Sequence, residues 1–196
     1  WKNKYPGCLP EYFSQKEKVN PYVFTKILSE ELLNDDIIIP DEGGNLVWTM
    51  QAFEIKAGQK LFSAFGNSPM GYALPASIGA SFAAGKKRII CIDGDGGFQM
   101  NIQDLQTVVH YKLPIKIFIL NNNCYGIIKQ FQDVYFEGRH EASVLETGYS
   151  VPDFVKIAQA YGIATETISG HKGLREKIQS VLNADGAVLC NVILDE

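Results

Sequence analysis

The sequence lacks three features that would direct it to a membrane, to nucleic acid or to an oxidising compartment. No apolar run approaches the roughly 20 residues of a membrane span, and no signal-peptide pattern opens it. Its 18 Lys and Arg stand against 22 Asp and Glu, so we expect no basic surface for nucleic acid or anionic lipid. The four cysteines, Cys8, Cys91, Cys124 and Cys190, show no C-x-x-C spacing. We therefore expect a reduced, cytoplasmic protein.

Length and composition fit one globular domain. With 196 residues, 46% of them hydrophobic, the chain can bury a sizeable core. Residues 1–19 are polar, contain Pro6, Gly7 and Pro10, and are typical of a linker from a preceding domain. That leaves 20–196 as the domain. Since the chain begins without Met and ends directly after a strand-like run, we expect it to be a fragment of a longer polypeptide.

Apolar runs alternate with amphipathic segments along the chain. Asn20 is a good helix N-cap and Pro21 fits the first helical position. Strand-like runs occupy Ile37–Ile39, Ile89–Ile92, Ile115–Leu120, Ala164–Ile168 and Ala187–Leu194. Helices are predicted from Gly71, at about 101–111, at 152–161 and at 171–183. This alternation predicts an α/β fold, in which a doubly wound, mostly parallel sheet of about six strands carries helices on both faces.

The stretch from Arg88 to Ile127 is the most informative part of the sequence. One apolar run opens into the cluster 94–97, Gly-Asp-Gly-Gly, and a second opens into Asn121-Asn122. In an open α/β sheet, ligands bind at the carboxyl ends of strands. A carboxylate, an amide and several glycines suit a hard cation such as Mg²⁺ bridging to phosphate oxygens. A strand-to-helix turn with a capping Asp is the structural alternative, which the second cluster disfavours.

Two rival motifs fail in this stretch. A dinucleotide-binding Gly-x-Gly-x-x-Gly has Gln99 at its third glycine, and no acidic residue follows at the ribose distance. An EF-hand starting at Asp93 has Phe98 at its obligatory glycine and Asp104 at the place of the bidentate Glu. An unrelated nucleotide-binding α/β protein is therefore a disfavoured alternative.

The order Gly-Asp-Gly and then Asn-Asn, with the text on both sides, resembles the signature of thiamine-diphosphate enzymes. From the Trp-Lys-x-Lys-Tyr-Pro opening at Trp1 to near Glu196, the wording is similar to the C-terminal, diphosphate-binding domain of the acetolactate synthase family. The resemblance implies a thiamine-diphosphate-binding fold with thiamine diphosphate and Mg²⁺ as cofactors. It also implies a parent enzyme, a transferase or lyase, that decarboxylates a pyruvate-like 2-keto acid and transfers the two-carbon unit to a second carbonyl.

The resemblance also implies the residues of the site. The metal ligands are the side chains of Asp95 and Asn122 and the backbone carbonyl of Cys124. The residues implied to contact the cofactor fall in four segments: Gly43, Gly44 and Asn45; Ser68 and Met70; Gly94, Asp95, Gly96 and Gly97; Asn122, Gly126 and Ile127. In the first segment the family usually carries Gly-Gln-His, of which only the glycine is retained, and the residues alone predict a glycine-rich turn there. Met70, by itself typical of core packing, is implied as the apolar wedge under the cofactor, and the Ser68 carbonyl as the acceptor for its 4′-amino group.

Phe131 departs from the family, where Trp usually shapes the pocket for the second keto acid. An aromatic wall of the substrate pocket is retained, but it is smaller and has no indole donor. In the long stretch 132–150, His140 is a candidate to reach the site. Two alternatives stay open. One is another 2-keto acid decarboxylase or carboligase on the same cofactor, and the other is a non-catalytic interaction module of the same fold.

No catalytic residue is assigned to this chain. In the family, the Glu that activates the cofactor lies on a separate pyrimidine-binding domain, usually of the partner subunit. The fragment alone is therefore expected to be inactive. The family pairing implies a homo-oligomer, a dimer or tetramer, and the small-residue helix from Gly71 is a candidate contact surface.

Overall fold

In the computed structural model, which describes residues 1, 4–15 and 17–195, six strands form one parallel sheet. The strands are β1 (Ile37–Pro40), β2 (Lys60–Leu61), β3 (Ile89–Gly94), β4 (Ile115–Asn121), β5 (Ala164–Ile168) and β6 (Val188–Ile193). Their order across the sheet is β2-β1-β3-β4-β6-β5. The predicted α/β fold is therefore confirmed. Lys2, Asn3, Lys16 and Glu196, which the predicted linker and domain include, lie outside the described residues.

Eight α-helices connect and flank these strands in the described part of the chain. They are α1 (Pro21–Glu31), α2 (Gly44–Ala52), α3 (Ala73–Ala83), α4 (Asp95–Met100), α5 (Leu105–His110), α6 (Gly126–Tyr135), α7 (Phe154–Ala160) and α8 (Leu174–Asn183). None of them is both long and apolar enough to cross a membrane. Inside the predicted linker, Pro10–Ser14 forms a 3₁₀ helix.

Two apolar layers cover the sheet, one on each face. Alternate residues of β3 and β4 point to opposite sides, so that Ile90 and Phe118 join one layer while Cys91 and Ile117 join the other. Helices α1 and α8 pack on the first face, and α3, α5 and α7 pack on the second. Burial on both faces explains why β3 and β4 are continuous apolar runs rather than alternating ones.

The start of α1 is confirmed as predicted. The Asn20 side chain accepts hydrogen bonds from the backbone N–H groups of Tyr22 and Val23, and Pro21 occupies the first turn. Just before it, the buried Val19 forms a parallel bridge with Leu194. The division between linker and domain at residue 19 stays a prediction.

Three helices differ from the sequence prediction. The helix expected at about 101–111 is present as a 3₁₀ turn, Ile102–Asp104, followed by α5. The separate helix α4 was not predicted, and it ends before Asn101, where φ is −132°. Helix α2 was not predicted, since Gly43-Gly44 favours a turn. Part of the stretch 132–150 belongs to α6. Glycine-rich sequences have low helix propensity, and the contacts described below explain why these glycines are nevertheless helical.

Polar side chains join the strands at the amino edge of the sheet. Arg88 donates to both carboxylate oxygens of Asp36, at 2.8 and 2.5 Å, and to the Leu182 carbonyl. This bidentate pair ties the chain just before β3 to the chain just before β1.

Lys116 of β4 is a buried lysine at the same edge, with 1% of its surface exposed. Its Nζ donates to the carbonyls of Ala184 and Gly186, at 2.6 and 2.7 Å. Burial and the neighbouring Arg88 lower the pKa of Lys116 to about 8, so the ammonium remains mostly charged at neutral pH. It therefore binds the turn between α8 and β6 to the middle of the sheet.

We expect Lys116→Met to lower the free energy of unfolding by about 2 to 3 kcal/mol, because both charge-assisted hydrogen bonds are lost and two carbonyls lose their partner. Urea titration measures this loss. Lys172→Met removes an exposed lysine and serves as the control, with an expected change within about 0.5 kcal/mol. Equal unfolding midpoints for the two variants would contradict the role given to Lys116.

Candidate cofactor site

The cleft of this fold lies at the carboxyl edge of β1, β3 and β4. Strands β1 and β3 are neighbours, but the chain leaves β1 towards β2 and leaves β3 towards β4 on the other side. Such a reversal opens a crevice between the two connections, where open α/β sheets bind ligands. The cleft found there has a volume of about 890 Å³, large enough for a cofactor of several hundred daltons.

Every residue predicted to contact the cofactor lies at this cleft. The twelve predicted cofactor contacts come from four separate segments and include two of the three predicted metal ligands, Asp95 and Asn122. The third metal ligand is Cys124. All thirteen residues line the cleft: Gly43, Gly44, Asn45, Ser68, Met70, Gly94, Asp95, Gly96, Gly97, Asn122, Cys124, Gly126 and Ile127. Phe131 does not. Its ring is 55% exposed on α6 and packs against Tyr135. The chain thus assembles the predicted cofactor residues, whereas the predicted substrate wall faces solvent in the described part of the chain.

Two buried carboxyl groups, Asp41 and Asp93, meet beneath the floor of the cleft. Asp41 follows β1 and accepts from the N–H groups of Gly71 and Ala73, both at 2.9 Å. The oxygens of Asp93, in β3, have no hydrogen-bond donor among the described residues. Burial and the negative charge of Asp41 raise the pKa of Asp93 well above its usual range. Asp93 therefore binds a proton more readily than an exposed aspartate does.

Gly97 of α4 leaves the space that this acid pair occupies. A Cβ on residue 97 would lie 2.2 Å from Oδ2 of Asp41 and 2.6 Å from Oδ1 of Asp93. No side chain fits there without displacing one of the two carboxyl groups. The glycine is thus required by packing, which offsets its low helix propensity.

Asp95 begins α4 and points its carboxylate across the cleft floor. Its Oδ1 accepts from the Tyr149 hydroxyl at 2.8 Å, and its Oδ2 accepts from the Asn123 N–H at 2.7 Å. A carboxylate can accept about four hydrogen bonds or ligand bonds, so coordination capacity remains on both oxygens. Burial raises the pKa of Asp95 to about 6, although these two donors act in the opposite direction. A nearby cation would favour the ionised form.

The first cofactor segment forms the start of α2. Gly43 has φ of 104°, a conformation that favours glycine. The Oδ1 atom of Asn45 accepts from the Leu46 N–H, whereas its Nδ2 is buried and has no acceptor among the described residues. That amide lies beside Gly94, whose imaginary Cβ would be 3.7 Å away. An unsatisfied buried donor at a cleft calls for an acceptor from a ligand.

The segment that contains Ser68 and Met70 is held in place by hydrogen bonds of the next residue. Its next residue, Gly71, donates its N–H to Asp41 and accepts from Nδ2 of Asn101 at 2.6 Å. Ser68 has φ of 47°. Ser68 and Met70 both line the cleft. The residue that follows them, Gly71, is hydrogen-bonded to two other segments.

The fourth segment leads from β4 into α6. The Asn122 side chain lies against Gly126, where a Cβ would be 3.1 Å from its Nδ2. Cys124 is buried and also lines the cleft. Helices α2 and α6 both begin at this cleft, and helix N-termini carry unpaired N–H groups and partial positive charge that suit anions.

Several residues at the site were not found by sequence reasoning. Tyr125 and Trp48 line the cleft beside Gly96 and Gly44, and their rings fill the space that a side chain on those glycines would need. Tyr149 reaches Asp95 from the irregular stretch. His140 does not line the cleft, but its Nε2 lies 2.7 Å from Oδ1 of Asp133, which does.

Comparison with known proteins agrees with this geometry. The profile of the family "Thiamine pyrophosphate enzyme, C-terminal TPP binding domain" matches residues 41–192. The chain belongs to this family. It is similar to the acetolactate synthase large subunit of Pyropia yezoensis, with 35% identity over the whole chain and 32% of that protein. It is also similar to the acetolactate synthase isozyme 2 large subunit of Escherichia coli (strain K12), with 31% identity over the whole chain and 34% of that protein. The chain thus spans about a third of the length of these relatives.

The residues present fit the two groups that the family implies. For a diphosphate, the unsatisfied Nδ2 of Asn45 and the starts of α2 and α6 offer donors around one cavity. No cluster of three or more His, Cys, Asp or Glu side chains that could hold a metal occurs among the described residues. The donors at Asp95 and Asn122 are instead a carboxylate and an amide, and such a small set of hard oxygens suits Mg²⁺, which keeps waters and phosphate oxygens as its other ligands.

We expect Gly97→Ala to destabilise the protein by about 1 to 3 kcal/mol, because the new methyl group overlaps the acid pair. The matched control is Gly79→Ala in α3, where no atom lies within 4 Å of the added Cβ. That change should stabilise the protein by about 0.5 to 1 kcal/mol, since glycine is the poorer helix former. Urea unfolding of both variants tests the prediction, and equal shifts would refute it.

The raised pKa of Asp95 predicts a pH dependence of stability in the absence of divalent metal. With about 6 in the folded protein against 3.8 for an ordinary Asp, the folded state binds the proton more tightly. The contribution of Asp95 to the free energy of unfolding is therefore greatest below about pH 4. It falls as the pH rises through 6, by up to about 3 kcal/mol. Subtracting the pH profile of Asp95→Asn isolates this part. A difference profile that is flat between pH 4 and 7 contradicts it.

Proposed function

We propose that the cleft binds thiamine diphosphate together with Mg²⁺, and that the chain is the cofactor-binding part of an acetolactate synthase-like enzyme. The intact enzyme decarboxylates a pyruvate-like 2-keto acid and transfers the two-carbon unit to a second carbonyl. The observation that carries this proposal is the meeting of four separate segments at one cleft, whose lining residues include Asn45, with its unsatisfied amide, and the buried carboxylate Asp95. When bound, thiamine diphosphate supplies the carbanion chemistry of the reaction.

The residues of this chain bind and orient the cofactor. Asp95, Asn122 and the Cys124 carbonyl would hold Mg²⁺, which would neutralise charge on the diphosphate. Asn45 donates its free Nδ2 hydrogens to a diphosphate oxygen and so replaces the histidine common in the family. Met70 supports the cofactor from the side of α3, and its position is fixed because the neighbouring Gly71 is held by Asp41.

The activating carboxylate comes from outside this chain. We assign it to a pyrimidine-binding domain of the parent polypeptide or of a partner subunit, within a cytoplasmic homo-oligomer. The chain alone is then expected to bind the cofactor without turnover. The relatives are named as acetolactate synthase large subunits and are about three times as long, which supports a division of the catalytic machinery between domains.

A second candidate is another decarboxylase or carboligase that uses the same cofactor and a different acceptor. Phe131 favours this second candidate, because it stands where the family usually has Trp and its side chain does not line the cleft. Assay of the intact protein with pyruvate and a panel of acceptor aldehydes and keto acids distinguishes the two. Preferential formation of acetolactate from two pyruvate molecules supports the first, and preferential use of another acceptor supports the second.

The cofactor proposal predicts a thermal shift that needs both ligands. With Mg²⁺ and thiamine diphosphate present at about 100 times their dissociation constants, the folded state gains about 2.7 kcal/mol. Either ligand alone should have a much smaller effect, because the metal and the diphosphate share ligand oxygens. Differential scanning calorimetry of the intact protein measures the shift.

Asp95→Ala should abolish this shift, since it removes the charged metal ligand. Asp35→Ala is the matched control, because Asp35 is exposed, pairs with Lys87 and does not line the cleft. This control should retain the full shift. A shift that survives in Asp95→Ala, or that appears with NAD or ATP in place of thiamine diphosphate, would count against the proposed function.

A further inference from the structure

The segment between α6 and α7 is fastened to the cleft rather than free. We call residues 136–149 the strap. In its middle, Ser143 accepts through its carbonyl from the Tyr125 N–H at 2.9 Å and donates its hydroxyl to Oε1 of Gln132 at 2.5 Å. The Nε2 of Gln132 donates to the Glu141 carbonyl at 3.2 Å. The strap is thus joined to Gln132, in the second half of α6, and to Tyr125, the residue just before that helix.

The last residue of the strap, Tyr149, contacts a residue of the cleft from behind its lining. Gly148 turns the chain with φ of 108°, and Tyr149 donates its N–H to the Val144 carbonyl. The Tyr149 side chain is then buried, with 5% of the residue exposed, and its hydroxyl donates to Oδ1 of Asp95 at 2.8 Å. The strap therefore ends on the carboxylate proposed as the main metal ligand.

Two tyrosine rings fix the place of this hydroxyl. The rings of Tyr125 and Tyr149 pack with centroids 4.2 Å apart. Both occupy space above Gly96, where a Cβ would lie 2.3 Å from Cε1 of Tyr125 and 3.1 Å from the Tyr149 hydroxyl. A ring held on two sides has few alternative rotamers, so the donor is preorganised before any ligand binds.

Together these contacts define the orientation of Asp95. Its Oδ1 is held by Tyr149 and its Oδ2 by the Asn123 N–H. Donors of this kind, which contact a metal ligand without touching the metal, typically contribute 10- to 100-fold to metal affinity. The sequence near Asp95 gives no sign of this partner, which lies 54 residues away.

We propose that Tyr149 is a positioning residue for the divalent cation, and that cation binding in turn holds the strap closed. The inference rests on the proposed function, since it takes Asp95 as a metal ligand. Tyr149 does not touch the metal. It orients the carboxylate by donating one hydrogen bond, and any ion that draws on Asp95 also stabilises the end of the strap.

The test compares Tyr149→Phe with Tyr161→Phe in the intact protein. The Tyr161 hydroxyl makes no hydrogen bond among the described residues, and Tyr161 does not line the cleft. Isothermal titration calorimetry with Mg²⁺ at saturating thiamine diphosphate should show about 10- to 100-fold weaker binding in Tyr149→Phe. Tyr161→Phe should bind as the wild type does. The EPR lines of Mn²⁺ bound in place of Mg²⁺ should broaden only in Tyr149→Phe, because its carboxylate ligand is less ordered.

A second measurement uses the wild-type protein and does not depend on the folding of a variant. Trypsin cleavage after Arg139, an exposed residue of the strap, should slow about tenfold or more when Mg²⁺ and thiamine diphosphate are added together. Cleavage after the exposed Lys172 is the internal control and should not change. In Tyr149→Phe the protection of Arg139 should be lost.

The outcomes separate this inference from the proposed function. If the wild type binds neither Mg²⁺ nor thiamine diphosphate, both fall. If it binds them and Tyr149→Phe binds Mg²⁺ within threefold of the wild type, the positioning role of Tyr149 is overturned and the proposed function stands. Unchanged cleavage after Arg139 in the loaded wild type overturns the closing of the strap.

Discussion

The hydrogen bonds made by one buried carboxylate, Asp41, are the interaction on which the cleft depends. It lies at the end of β1, faces Asp93 of β3, and accepts from Gly71 and Ala73 at the start of α3. Three chain segments that are far apart in sequence therefore meet at a single group. The wall formed by Met70, the floor formed by α4 and the first cofactor segment keep their relative positions because of it. The raised pKa of Asp93 favours this arrangement, since a proton on the pair lessens the repulsion between the two carboxyl groups.

Several glycines at the carboxyl edge of the sheet lie where an added side chain would overlap with a neighbouring one. Gly97 makes room for the acid pair, Gly96 for Tyr125 and Gly44 for Trp48. At Gly96 and Gly97 the space is filled by side chains from other segments, and at Gly44 it is filled by Trp48, one turn further along α2. The result is a cleft lined in part by backbone at these glycines, with the acid pair of Asp41 and Asp93 packed behind Gly97. A diphosphate can approach such a lining more closely than one covered by side chains.

Much of this architecture is predictable from the sequence, and the failures have physical causes. The strands β3 and β4 are long apolar runs, and the polar clusters at Asp95 and Asn122 mark their ends, so the sheet and the position of the site follow from local pattern. Helices α2 and α4 do not, because their glycines are poor helix formers and only contacts with distant residues stabilise them. Tyr149 could not be found either, since its role depends on how the stretch 132–150 folds back. Phe131 is the opposite case. The family resemblance predicts it as a wall of the substrate pocket, but its side chain faces solvent in the described part of the chain.

The amino and carboxyl edges of the sheet have different roles, and this determines where the domain tolerates substitutions. At the amino edge, Lys116 and the Arg88–Asp36 pair join the turns and strands through charged groups that do not line the cleft. Substitutions at the carboxyl edge, outside Asp41 and Gly97, can then occur while the opposite edge maintains the scaffold. Variation of ligand specificity in such a domain should therefore concentrate at the carboxyl edge, because the stability supplied by the amino edge tolerates it.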